Sequence, residues 1–408
     1  MKRKIALFVA ATAVVSCGLQ VLGDGSGDGT EDGADDVWTG PGSSIMNGDT
    51  GPIKKSVWFM TGFDYPEGYD WRSDQQVGEV KCSLVVFANG VPMMKVPVGH
   101  EYEVSSDPDM HRMIGSDLYT DYSDDSLTVI KKNGKLLYRY PGREMIVGMY
   151  VQDEDVYTLG QSRSGRGFSY RKNGEPVVER MNGTLFNTFF KTGQGCAFAF
   201  YETIKSESED LERYFICIDG DVSQVAVRED VSKVWDILYK DGRIWYIATM
   251  VGVKWPVLVS DGEIRTLEAT KNTSMRSCRF IPEASGVTVE GVTQTLSTHV
   301  ITGGIWRDGI LEIRFPAGEV SVYSCVWEDG LCCALQGYKS GLNSIFRTGE
   351  IHPVPEGYAI MGTSPMAVVD GILHVALTAK DGTGPQVWKD GEMYPVKLNG
   401  YISSITVQ

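Results

Sequence analysis

From residue 56 onward, apolar and polar residues alternate in short runs broken by Asn-Gly or Asp-Gly. Alternation with a period of two marks half-buried β-strands, and the dipeptides mark tight hairpins. QVWKDGEMYPVKLNG, Gln386 to Gly400, contains one whole unit. A two-residue type I′ loop needs positive φ at both central residues, which Asp-Gly supplies at little steric cost. With Asp390-Gly391 as the loop, Lys389 faces Glu392, Trp388 faces Met393 and Val387 faces Tyr394. These are favourable charge and strand-forming pairs.

The unit recurs. Its turn falls at Asn89-Gly90, Asn133-Gly134, Asn173-Gly174, Asp219-Gly220, Asp261-Gly262, Asp308-Gly309, Thr348-Gly349 and Asp390-Gly391, at intervals of 40 to 47 residues. Between these turns lies a second hairpin, as in LYKDGRIWYIA (238–248), VWEDGLCCAL (326–335) and VVDGILHVAL (368–377). VQDEDVYTLG (151–160) has the same form with a longer turn. Four strands in about 40–45 residues is the period of a β-propeller blade. The segment YISSITVQ (401–408) reads as the first strand of one more repeat, and the repeat opening at Ser56 lacks that strand. The sequence therefore predicts an all-β propeller of eight four-stranded blades over 56–408, closed by the C-terminal strand. Seven blades follow instead if the weak repeat at 273–318 is not one.

The N-terminal part has another character. MKRK is a basic start, Ile5 to Val15 is an apolar stretch too short to span a bilayer as a mature helix, and VVSC ends at Cys17. This resembles a bacterial lipobox: residues 1–16 would be the signal peptide and Cys17 the lipidated residue that anchors the chain in a membrane. Residues 17–55 then form an acidic, Gly-rich tether. Within it, Asp24, Ser26, Asp28, Gly29, Asp32 and Asp35 fall near the ligand positions of a calcium loop. No helix-forming pattern flanks them, and the last position is Asp rather than Glu, which favours the tether.

VWKDGE (387–392), SYRKNGEP (169–176) and VIKKNGK (129–135) resemble the WKNG/WKDG-type repeats of β-propeller lipoproteins from Bacteroidetes. The resemblance covers nearly all of 56–408, although only Trp306 and Trp388 keep Trp at the signature position. It implies a propeller held at the outer membrane and carries over no catalytic residues. Surface lipoproteins of these bacteria carry acids directly after the Cys. Here Gly18 to Gly23 is uncharged and the acids begin at Asp24. The cell surface is the expected address, with the periplasmic face as the alternative.

Charge and cysteine content narrow the partners. Net charge is −15, and residues 56–408 hold 33 basic and 46 acidic residues, a balance of −13. Such a domain repels phosphate backbones, so nucleic acid is not an expected partner. Of eight Cys, seven remain once Cys17 is set aside, so at least one cannot pair within the chain. Most lie in apolar strand-like runs and read as buried thiols. Cys196 and Cys217 are the pair that neighbouring strands could bring together. No CxxC and no metal-ligand spacing occurs, and no cofactor is expected.

The candidate binding element is GFDYPEGYDWRSDQQ (62–76), which sets Phe63, Tyr65, Tyr69 and Trp71 among Asp64, Glu67, Asp70 and Asp74. Aromatics beside carboxylates suit a sugar, with ring faces on C–H patches and acids accepting hydroxyl hydrogen bonds, and equally suit a protein hot spot. The same loop can instead fold down and bury its rings as a cap. Arg163 and Arg166 in SRSGRGF (162–168) would grip a carboxylate bidentately or simply be solvated. The five His form no metal motif, and GxSxG is absent. The expectation is a lipid-anchored, non-catalytic module binding glycan or protein. The alternatives are a polysaccharide hydrolase or lyase using acids of 62–76, and a structural subunit of an outer-membrane assembly.

Overall fold

The computed structural model describes residues 56–71, 82–98, 111–123, 127–162, 167–186, 189–192, 195–205, 210–253, 255–268, 270, 273–327, 330–337, 343–347, 349–362 and 364–407. The described chain folds into eight antiparallel sheets, and each contains one signature turn between its third and outermost strands. Seven sheets are sequential in the chain. The eighth is formed by the first three strands together with the last, Gly400–Val407. The final strand pairs with Trp58–Asp64 from Trp58↔Val407 to Asp64↔Gly400, so the ring closes as the repeat pattern predicts. The weak repeat is a full blade: Thr273–Phe280, Thr288–Thr295, Ile301–Arg307 and Ile310–Arg314 pair in order. Numbering from the closed blade, blade 6 is this one, and the count is eight.

In blades 4 and 8 the inner strand is broken into two pieces, which the repeat pattern did not indicate. In the inner hairpin of blade 7, Trp327 pairs with Gly330.

The turn residues do more than supply positive φ. Asn89, Asn133, Asn173, Asp219 and Asp308 lie at φ between 51° and 53°, each followed by a left-handed Gly. Their side-chain oxygens accept the backbone N–H of Trp58, Leu118, Val156, Cys196 and Val287 at 2.8–3.1 Å. Each of those residues in turn accepts the turn residue's own N–H on its carbonyl. The signature residue thus ties the outer hairpin to the second strand of its blade. Where that strand opens with Asp, the turn residue is Asn, whose Nδ2 has a donor to give. Asn133 donates to Asp117 at 2.8 Å and Asn173 to Asp155 at 2.7 Å. The same two acids hold Lys132 and Lys172, whose ammonium groups lie over Tyr119 and Tyr157.

The core lies between blades. Met145, Leu159, Phe168 and Tyr170 of blade 3 pack on Phe198 and Phe200 of blade 4, with Cys196 and Cys217 in the same layer. Phe198 stands opposite Cys217, so Cys196 is two residues out of register with it. Diagonal strand neighbours lie about 7–8 Å apart, beyond disulfide reach. The two are free, as are Cys82, Cys278, Cys325, Cys332 and Cys333.

The two ends of the ring differ. The two-residue turns lie at one end. The long connections between second and third strands, and those between blades, lie at the other. The segment from Tyr65 onward belongs to this second, loop-bearing face.

Candidate functional site

On the loop face an open groove lies where blades 8 and 1 meet. Gly62 lets the closing strand approach: a Cβ there would sit 2.5 Å from Leu398 Cδ1 and 3.0 Å from the Tyr401 carbonyl. From this seam the chain rises into the loop. Tyr65 N–H donates to the Asn399 carbonyl at 2.9 Å, and Asn399 Nδ2 donates to the carbonyls of Tyr65 and Pro66 at 3.2 and 2.6 Å. Asp64 accepts the Asn399 N–H at 2.9 Å through one oxygen and pairs with Lys95 Nζ at 2.8 Å through the other.

The aromatic residues form one stack. Tyr65 lies against Tyr69 at 5.4 Å between ring centroids and against Trp71 at 6.3 Å, both near parallel. Trp71 meets Tyr401 of the closing strand at 5.2 Å, and Phe63 meets Tyr401 at 5.3 Å. Phe63 and Tyr65 are buried. Tyr69 and Trp71 are half-buried, while Glu67 and Asp70 are exposed. The loop therefore combines the two sequence readings: its base is a cap, and its outer rings stay open on one side. Burial, with the neighbouring Tyr401, Cys82 and Tyr69, pushes the Tyr65 hydroxyl far up, so it stays protonated.

Beside the stack runs the groove, of about 550 Å³, between the blade 1 loop and the blade 8 segment around Thr383. Asp64, Glu67, Lys95, Thr383 and Asn399 line it. It offers hydrogen-bond donors and acceptors and side chains of both charges. Arg163, Arg166 and Cys17 lie outside the described residues, as do the tether and Asp74.

One contact was not legible in the sequence. His111 Nε2 lies 2.7 Å from Ser403 Oγ, joining blade 2 to the closing strand across 292 residues of chain. A Ser–His contact suggests nucleophilic chemistry, but Ser403 is fully buried and His111 nearly so, with the Phe63 ring edge-on at 5.2 Å. Burial, reinforced by the Arg112 charge, lowers the imidazole pKa to about 4. The pair is a neutral internal clasp. Asp64 is likewise engaged by Lys95 and Asn399. Among the described residues, no group of three His, Cys, Asp or Glu side chains could hold a metal ion. No helix among them is long and apolar enough to cross a membrane.

No family model matches the chain, and no curated protein matches it. Solved structures do. A structure titled as the eukaryotic initiation factor aligns over 87% of this chain and 98% of its own, at 12% identity and a TM-score of 0.47. The acylaminoacyl peptidase of Pyrococcus horikoshii aligns over 80% of this chain at 10% identity and a TM-score of 0.41. This chain spans 56% of that peptidase's length. A dihydro-heme d1 dehydrogenase aligns over 85% of this chain and 74% of its own, at 12% identity and a TM-score of 0.44. At such identities the likeness concerns the fold only.

Proposed function

We propose that this propeller is a lipid-anchored module of the bacterial envelope that binds a glycan without transforming it. Cys17 would carry the anchor and residues 17–55 the tether. The observation that supports the binding role is the groove between blades 8 and 1. It sets an Asp64–Lys95 pair and the Asn399 and Thr383 side chains beside Tyr65, the ring on which the half-buried Tyr69 and Trp71 both stack. Sugar rings present the matching surface: apolar C–H faces for the aromatics and hydroxyls for the polar rim. Asp64 is a poor candidate for hydrolysis, because Lys95 and Asn399 already engage it. A cell-surface position is proposed, with the periplasmic face as the other site.

The test is retention of residues 37–408 on immobilised plant, host and bacterial polysaccharides, with Trp71→Ala and Thr383→Ala alongside. Binding by the parent that both variants weaken supports the groove. Release of reducing ends would replace the reading with a hydrolase. No retention at all would turn the search to protein ligands. Palmitate labelling of the full chain, lost in Cys17→Ala, tests the anchor.

A further inference from the structure

The axis of the ring is lined by the inner strands of the blades, each with one backbone edge facing inward. On one side neighbours close this edge. Arg112 donates to the carbonyls of Val147 and Met149 at 3.3 and 3.2 Å. Ser364 bridges to the closing strand, accepting the Ile405 N–H at 2.8 Å.

The side formed by blades 5 to 7 carries exposed arginines on one of its inner strands. The inner strand of blade 6, Thr273–Phe280, bulges at Arg276, between Met275 and Ser277. Arg276 and Arg279 are both exposed, although their strand is the innermost of its blade. The Arg279 side chain is 52% exposed. Its pose is nonetheless fixed. Nε and Nη2 both donate to Glu290 Oε2, at 2.8 and 2.7 Å. Glu290 is buried, and its Oε1 accepts from Ser324 of blade 7 at 3.1 Å. One edge of the guanidinium is therefore clamped from behind, and Nη1 has no protein partner among the described residues. Holding a flexible cation this way costs side-chain entropy that solvent alone would not require.

The charges around it are sorted by depth. Asp236 of blade 5 is buried and spent on the N–H groups of Ile237 and Phe280, both at 2.8 Å. Glu290 is spent on Arg279 and Ser324. Glu319 accepts from Ser344 at the loop-face end of its strand. On these three inner strands the fully exposed charges among the described residues are Lys233, Arg276 and Arg279, while Glu319 and Lys240 are partly exposed. In a chain of net charge −15, this wall presents cations. Tyr323 of blade 7, partly exposed, lies near Arg279.

We propose that the inner wall of blades 5 to 7 binds a small anionic molecule through a carboxylate or phosphate group, gripped by the free edge of Arg279, with Arg276 of the same strand, which donates to the Gln294 side chain, adding positive potential. This site is separate from the groove between blades 8 and 1 and stands without it. A planar oxyanion matches the guanidinium fork, which lysine would not offer.

Isothermal calorimetry on the whole protein, with inorganic phosphate and with glucuronate at matched ionic strength, tests the site and tells the two sources apart. Saturable binding of at least one probe is expected. It should be weakened about tenfold or more in the double variant Arg279→Gln/Glu290→Gln, which leaves no buried carboxylate unpaired. Should that variant fail to fold by circular dichroism, Arg276→Gln serves instead, with several-fold weakening expected. Absence of saturable heat with both probes overturns the proposal. So does unchanged binding in the folded variant.

Discussion

The most informative perturbation is at Asn173. Its Oδ1 accepts the Val156 N–H at 2.8 Å and the Tyr138 hydroxyl of the preceding blade at 3.0 Å, while Nδ2 donates to Asp155 at 2.7 Å. The residue also sits at φ 52°. Two replacements separate these roles. Asn173→Gly keeps the backbone conformation and removes three hydrogen bonds. At about 1 kcal/mol net for each, partly offset by water at this half-buried rim, the expected loss is about 2 kcal/mol. Asn173→Ala removes the same bonds and adds left-handed strain of about 1 kcal/mol, for a total of about 3 kcal/mol. Asn173→Asp tests the donor alone, placing a carboxylate against Asp155, and should cost about as much as the Gly change. Urea unfolding followed by tryptophan fluorescence gives the differences. If Ala proves no worse than Gly, the φ argument fails. If Gly is neutral, the capping argument fails, and the recurrence of Asn and Asp would reflect turn geometry alone.

Three other outcomes follow from the geometry. His111 has a folded pKa lowered from 6.5 to about 4, so the unfolded chain takes up a proton that the folded one refuses. Stability should fall as pH drops from about 6.5 towards 4 and level off below, by about 3 kcal/mol from this group, and His111→Asn should remove that slope in urea midpoints measured across the range. Gly400→Ala would drive a Cβ into the Phe63 carbonyl, which should loosen the closing strand and speed amide exchange at Ile402 and Ile405 while blade 5 is unaffected. Phe198→Ala removes a fully buried ring from the layer between blades 3 and 4 and should cost about 3–5 kcal/mol by calorimetry or urea unfolding.

What the sequence revealed and what it hid divide by range. The hairpin register at Lys389↔Glu392, Trp388↔Met393 and Val387↔Tyr394 was legible because a two-residue turn leaves one pairing open. The blade count followed because the turns repeat. The Asn at 133 and 173 was unexplained by the sequence, since its reason lies in Asp117 and Asp155, which open the neighbouring strands and accept the Nδ2 donor. At the candidate site, the loop was visible by its aromatics. Burial of its rings was one of the readings the sequence offered, but that Phe63 and Tyr65 are the buried ones was hidden, because Tyr401, against which Phe63 packs, belongs to the far end of the chain. The His111–Ser403 clasp and the Arg279–Glu290 pair carry no local signal, since each is made by side chains that only the closed ring, or the packing of neighbouring strands, brings together.

The closing strand gives the ring a seam. Seven blades are assembled from contiguous chain, but blade 1 is finished by residues such as Ser404, whose hydroxyl bonds that of Thr61 across a separation of 343 residues. Closing a loop of that length costs about 5 kcal/mol of chain entropy beyond the constant term, a cost that falls on this junction alone. In a chain made from its N-terminus, the edge of Trp58–Asp64 must wait open until every other blade exists. Moving Gly400–Val407 to the front of the gene would turn that last, distant pairing into an ordinary hairpin. The permuted ring should then fold faster, with the same blades in the same order.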